Sequence, residues 1–173
     1  MKFSQKSEAG VRLLVELARH HGEGLLSLAE IARAEDLSQT FLEQVIMPLR
    51  KAGFVQSYQG VRGGYELARA PEEIGMGPVM RVLETSLAPM FCVTDAPDRD
   101  VCAFEEQCGT RVLWARVRDG INAALDATTL ADLLEDAPDD GAGDGRRLIQ
   151  VGDRRPPMAA PAPATCGDYQ PAN

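Results

Sequence analysis

Apolar positions in the first third of the chain recur at helical spacing three times and then alternate. Val11, Leu14, Val15 and Ala18 stand at i, i+3, i+4 and i+7, one face of a helix expected over residues 7–20. A second helix begins at Ser27, with Glu30 three residues on. That pair is a capping box, each side chain satisfying a free N–H near the other. Leu28, Ile31 and Ala32 are its inward positions. Asp36 and Leu37 end it, and Ser38 is the next N-cap. The third helix runs to about Ala52 on Leu42, Val45, Ile46 and Leu49, and Gly53 closes it. Pro48 lies inside. Proline removes a backbone donor and clashes with the carbonyl four residues back, which predicts a kink or break over residues 44–47. Residues 54–58 and 65–68 read as two hairpin strands. The tip is Gln59-Gly60-Val61-Arg62-Gly63-Gly64, whose three glycines permit positive φ.

Downstream, Gly77-Pro78 opens another helix with proline at the favoured first position, and Val79, Val82 and Leu83 face inward. Residues 92–108 form a loop rich in Asp, Pro and Cys. A long helix is expected over residues 110–127, striped by Leu113, Val117, Ile121, Ala124 and Leu125, with Trp114 beside the stripe. The stripe is too apolar for solvent and needs a partner, which a second copy of the chain would supply. Thr129 with Asp132 caps a short last helix over residues 130–134. From Asp136 the periodicity collapses into Asp, Gly, Pro and Ala, a composition that cannot bury enough apolar surface to offset its ordering entropy. The expected fold is mainly α with a small β-wing. Residues 1–90 form a winged helix-turn-helix, 91–109 a cysteine-rich loop, 110–135 a dimerisation helix with a short C-terminal helix, and 136–173 a disordered acidic and proline-rich tail.

Composition changes this picture in three ways. No run of the 173 residues approaches the ~20 apolar residues of a membrane span. The start, Met1 to Lys6, lacks the apolar stretch of a signal peptide. A cytoplasmic protein is expected, in which the four cysteines serve as ligands or free thiols rather than disulfides. The net charge of −8 speaks at first against a nucleic-acid partner. Residues 1–90, however, carry 10 Lys/Arg against 11 Asp/Glu, so −1, while residues 91–173 carry 8 against 15, so −7. The acid lies mostly outside the candidate DNA-binding part, whose cations can still cluster on one face.

Three groups of residues carry candidate chemistry. Ser38, Gln39 and Thr40, with Glu43 and Gln44, place short polar side chains at the first turn and one face of the third helix. That end of a recognition helix enters the major groove, where Gln reads adenine, Glu accepts from cytosine, and Ser or Thr contacts bases or phosphates. The bland alternative is an ordinary solvated face. The adjacent tip shifts the balance: Arg62, followed by Gly63, Gly64 and Tyr65, suits insertion into a narrow A·T-rich minor groove. A nucleotide-cradling loop would need a helix next, and a strand follows instead. The third group is Cys92, Cys102 and Cys108. Thiolates on a loop suit soft metals, but the tight cysteine pair of most zinc sites is missing. The wider spacing fits an iron–sulfur cluster, or else three free thiols. Cys166 lies far off in the tail. No nucleophile–base pair points to an enzyme, and the two histidines, His20 and His21, stand together at one helix end.

In this order, these features resemble the IscR/NsrR/RirA superfamily of bacterial winged-helix regulators. The resemblance covers about residues 1–136. It rests on the opening helix, Leu42-Glu43-Gln44, Leu49-Arg50-Lys51-Ala52-Gly53, Arg62-Gly63-Gly64-Tyr65-Glu66-Leu67-Ala68-Arg69, and three cysteines before a helix containing Leu113-Trp114. It implies a DNA-binding transcription regulator, of repressor type, acting as a homodimer on a double-stranded operator, with Arg50 and Lys51 joining the DNA-binding set. It also implies a [2Fe-2S] or [4Fe-4S] cluster whose state sets DNA affinity. Two departures stand out. The gap from Cys92 to Cys102 is longer than in IscR itself, and the position of IscR's ligand histidine holds Arg111, which stays protonated and cannot ligate. Some relatives use an acidic residue of the partner's first helix. Glu8 stands there, as a fourth ligand or as a glutamate favoured by the helix dipole.

Overall fold

The computed structural model describes residues 3–60, 62–94 and 108–135. Val61, Cys102, Cys166 and the expected tail therefore lie outside the described residues. Six helices and one hairpin follow in the order α1 (Gln5–Arg19), α2 (Leu28–Ala34), α3 (Gln39–Lys51), β1 (Val55–Tyr58), β2 (Gly64–Leu67), α4 (Met76–Leu83), α5 (Arg111–Asp126) and α6 (Leu130–Glu135). Short 3₁₀ turns sit at Pro71–Glu73 and Phe91–Val93.

α1 starts two residues before the expected Ser7, because Ser4 caps it by accepting from the Ser7 N–H at 3.2 Å. Ser7 is instead buried, its hydroxyl donating to the Ser4 carbonyl and to the Glu84 carboxylate at the end of α4. The buried face of α1 includes Leu14 and Ala18 as expected, and adds Leu13 and Leu17. The Ser27–Glu30 capping box of α2 is present in both directions. Asp36, at φ 50°, turns the chain into α3, which Ser38 caps through the Phe41 N–H at 3.1 Å. Arg12 of α1 braces this turn: its Nε donates to Glu35 Oε2 at 2.7 Å and its Nη2 to the Glu35 carbonyl.

Of the kink or break expected at Pro48, the break does not occur; α3 is continuous from Gln39 to Lys51. Leu42, Val45, Ile46 and Leu49 are buried on both sides of the proline and hold the helix to the core. The carbonyl that loses its donor belongs to Gln44, an exposed residue, where water can replace the missing bond. Gly53 ends the helix at φ 76°. The hairpin is antiparallel, with Val55 opposite Leu67 and Tyr58 opposite Gly64. Of the three tip glycines, only Gly60 takes a positive φ, 122°. Gly64 is needed for closeness instead: a Cβ there would stand 2.7 Å from the Leu26 carbonyl oxygen. Leu26 and Tyr65 exchange backbone hydrogen bonds of 3.0 and 2.8 Å, so a single β-bridge ties the α1–α2 loop to the two-stranded wing.

α4 also departs from expectation. Gly75 is its N-cap and Pro78 is its third residue, not its first. The first-turn N–H groups of a helix have no intrahelical partner, so proline is tolerated there too. α5 lies on α4 and on the Phe91–Val93 turn, yet none of its residues is buried by the described remainder of the chain. Arg81 of α4 pairs with Asp126 of α5 at 2.6 Å. The chain then returns to the N-terminal half: Met76 N–H donates to the Thr128 carbonyl and Leu130 N–H to the Ile74 carbonyl. Thr129 and Asp132 cap α6 as expected, and Leu130 is fully buried. Among the described residues, no helix is long and apolar enough to cross a membrane.

Candidate nucleic-acid interface and thiol centre

Because α3 buries Leu42, Val45, Ile46 and Leu49 and packs Phe41 partly against the core, its polar positions face outward. Ser38, Gln39, Thr40, Glu43, Gln44, Arg50 and Lys51 are all exposed. Gln39 Nε2 reaches Glu43 Oε1 at 3.5 Å, so two of the base-reading candidates lie side by side one turn apart. Arg50 donates through Nη1 to the Ser57 hydroxyl of β1 at 3.2 Å and so spans from α3 to the wing. Between them runs an open groove of about 500 Å³. Gln39, Glu43, Arg50, Gly63, Gly64 and Tyr65 line it, together with Ser57 and Tyr58. Ser38, Thr40, Gln44, Lys51 and Arg62 are not among its lining residues. Arg62 stands exposed at the wing tip.

Gly63, Gly64 and Tyr65 also have an architectural part. Gly64 is buried, and Tyr65 is half-buried against the core and carries the bridge to Leu26. Sequence reasoning missed Ser57 and Tyr58. Both are exposed at the end of β1, and strand alternation would have pointed to one of them. Tyr58 donates to Glu66 Oε1 at 2.6 Å, and that hydrogen bond to a carboxylate raises the phenol above its ordinary value.

The thiols stand elsewhere. Cys92 is 9% exposed, in the 3₁₀ turn ahead of residues 95–107. Cys108 is half-buried just before α5, its Sγ 3.2 Å from the Thr110 hydroxyl. Hydrogen bonds from that hydroxyl and from the Thr110 N–H hold the thiol below its usual range, and the Arg111 charge acts in the same direction. This favours a thiolate, the form that binds soft metals and reacts with oxidants. Cys102 lies outside the described residues, and among them no three His, Cys, Asp or Glu side chains gather to hold a metal. The chemistry of the two described thiols suits a cluster: one is shielded and one acidified, and Cys102 lies between them in sequence. Glu8 is exposed on the first turn of α1. His20 is tied to its own helix through the Glu16 carbonyl at 3.1 Å, and His21 is exposed.

The whole described arrangement has known counterparts. The family profile described as "Rrf2: Iron-dependent Transcriptional regulator" matches residues 3–136. The chain is 42% identical over 133 residues to the HTH-type transcriptional regulator CymR of Bacillus subtilis, covering 77% of this chain and 89% of that one. A solved structure of CymR, the global cysteine regulator of B. subtilis, superposes with a TM-score of 0.68 at 40% identity, covering 80% of this chain and 99% of the other. The structure of T. potens IscR gives 0.63 at 39% identity, covering 84% and 94%.

Proposed function

The chain belongs to the Rrf2 family of transcription regulators, and from that premise we propose that it binds operator DNA through α3 and the wing under the control of its cysteines. One observation carries the DNA-binding part. The exposed polar face of α3 is set across a groove from a glycine-tipped hairpin, one element suited to each groove of the duplex. Ser38, Gln39, Thr40, Glu43 and Gln44 read the major groove. Arg50 and Lys51 neutralise phosphates. Arg62 enters the minor groove, where Gly63, Gly64 and Tyr65 shape the approach.

The protein acts as a homodimer through α5. Leu113 is 54% and Val117 37% exposed, on a helix with nothing among the described residues laid over that face. Cys92, Cys102 and Cys108 hold an iron–sulfur cluster, with Glu8 of the partner chain as fourth ligand. A bound cluster would supply a group whose assembly and oxidation state follow iron supply, nitric oxide or redox conditions.

A second reading has its own support: the thiols respond directly, without a cluster. The acidified Cys108 and the likeness to a cysteine regulator favour it. Anaerobic reconstitution of the full chain, followed by iron and sulfide analysis and operator-binding titrations, tests both. Matched iron and sulfide, with affinity that changes on cluster removal, is the expected result. Protein that takes up neither, yet changes affinity on mild thiol oxidation, would replace the cluster with the thiols themselves.

A further inference from the structure

Cys92 and Cys108 belong to different elements, and something must set their mutual position. Cys92 sits in the Phe91–Val93 turn; Cys108 immediately precedes α5. The turn is braced from its own N-terminal side. Val93 N–H donates to the Met90 carbonyl at 3.1 Å, Thr94 N–H to the Phe91 carbonyl at 3.3 Å, and the Ser86 and Thr94 hydroxyls meet at 2.8 Å. These bonds shape the turn, and none of the three reaches α5. Burial of Cys92 and Val93 holds the turn down without direction.

Arg118, the eighth residue of α5, supplies the direction. Its Nη1 donates to the Val93 carbonyl oxygen at 3.0 Å, one residue from Cys92. Its Nε and Nη2 are held 2.9 and 2.8 Å from Asp119 Oδ1, which aims the guanidinium. The residue that grips the turn of Cys92 therefore lies on the helix that Cys108 precedes by three residues.

We propose that Arg118 is a positioning residue that sets where Cys92 stands relative to Cys108, through the Val93 carbonyl. The inference rests on the reading of these cysteines as the sensing ligands. A charge-assisted hydrogen bond is both stronger and more directional than a neutral one. Ligand sites need their donors held to within about 0.5 Å, which nondirectional packing does not provide. Arg118 itself ligates nothing, since its guanidinium never loses its proton.

The test compares wild type with Arg118→Ala, Arg118→Lys and Asp119→Ala, all as the full chain. In metal-free protein, iodoacetamide labelling of Cys92 and Cys108 is followed separately by peptide mass spectrometry. Loss of one charged hydrogen bond should open the turn so that Cys92 in Arg118→Ala labels roughly tenfold faster, with Cys108 little changed. Arg118→Lys should fall between, keeping the charge but not the fork. Asp119→Ala should shift Cys92 the same way by less. In reconstituted protein, cluster loss to a chelator should quicken in the same order. An unchanged Cys92 rate in Arg118→Ala overturns the proposal. If that variant loses its cooperative melt, Asp119→Ala decides, and an unchanged Cys92 rate there overturns it. Should wild type take up no cluster, the cluster reading fails, while the labelling ratio still judges Arg118.

Discussion

The two halves of the described chain are held in different ways. α1, α2 and α3 bury Leu13, Leu14, Ile31, Leu42 and Ile46 almost completely, each helix starts on a serine cap, and the wing hydrogen-bonds back to the α1–α2 loop. α5 has no fully buried residue against the described chain, begins without a side-chain cap, and is joined to its neighbours by Arg81–Asp126 and Arg118–Val93. The first half is complete within one chain. The second presents an apolar face, Val112 60% and Leu113 54% exposed, that only another surface can cover. On the proposed reading, binding falls to the well-packed half and sensing to the half whose apolar face is uncovered.

That contrast can be broken from either side. The largest effect should come from Leu42→Ala. A fully buried leucine leaves a cavity and costs about 2–5 kcal/mol, so calorimetry should show a drop of many degrees in Tm. A near-normal Tm would mean that α3 is not held by its core. Next, Val117→Asp with Ile121→Asp should turn a dimer into monomers while leaving the helix-turn-helix folded, because α5 contributes little to its own chain's core. Sedimentation decides: wild type that is already monomeric at micromolar concentration removes the dimer reading. Arg62→Ala should then weaken operator binding by about tenfold and lower the salt slope by about one phosphate. Equal affinity and slope in the variant would take the wing tip out of the interface.

The smallest effect concerns the joint between the halves. Burial works to raise the Glu84 carboxyl, but hydrogen bonds from the Ser7 hydroxyl and the Ser4 N–H outweigh it and hold it below its ordinary 4.5. A carboxyl depressed on folding stabilises above its unfolded value, and the contribution fades as pH falls through the folded one. Glu84→Gln should therefore lower Tm at neutral pH, with the gap from wild type closing below about pH 4.5. A gap that stays constant with pH would show that the charge is not what Ser4 and Ser7 hold.

What was legible in the sequence was local. The Ser27–Glu30 and Thr129–Asp132 boxes, the Ser38 cap and the closing Gly53 were each readable because cap and capped group lie within four residues. What was misread depended on distant partners. Ser7 looked like a start because its real partner, Glu84, is 77 residues away. Pro48 looked like a break because the packing on either side of it is invisible in a window. Leu26 carried no strand signal, since one residue joined to Tyr65 has no periodicity. At the site, the α3 face was readable from its own period. Ser57, Tyr58 and Arg118 owe their places to a groove and a carbonyl formed by other segments.

The Leu26–Tyr65 bridge has a consequence for the proposed DNA contact. Leu26 bonds to the wing and the next residue, Ser27, caps α2, so hairpin and helix-turn-helix share one stretch of backbone. If α3 and the wing read the duplex as proposed, this shared backbone makes them a ruler of fixed length. Adding one base pair between the major-groove and minor-groove determinants of a half-site shifts them by about 3.4 Å, and a body without a hinge cannot follow. Operators for this protein should tolerate base changes between those determinants far better than changes in their spacing.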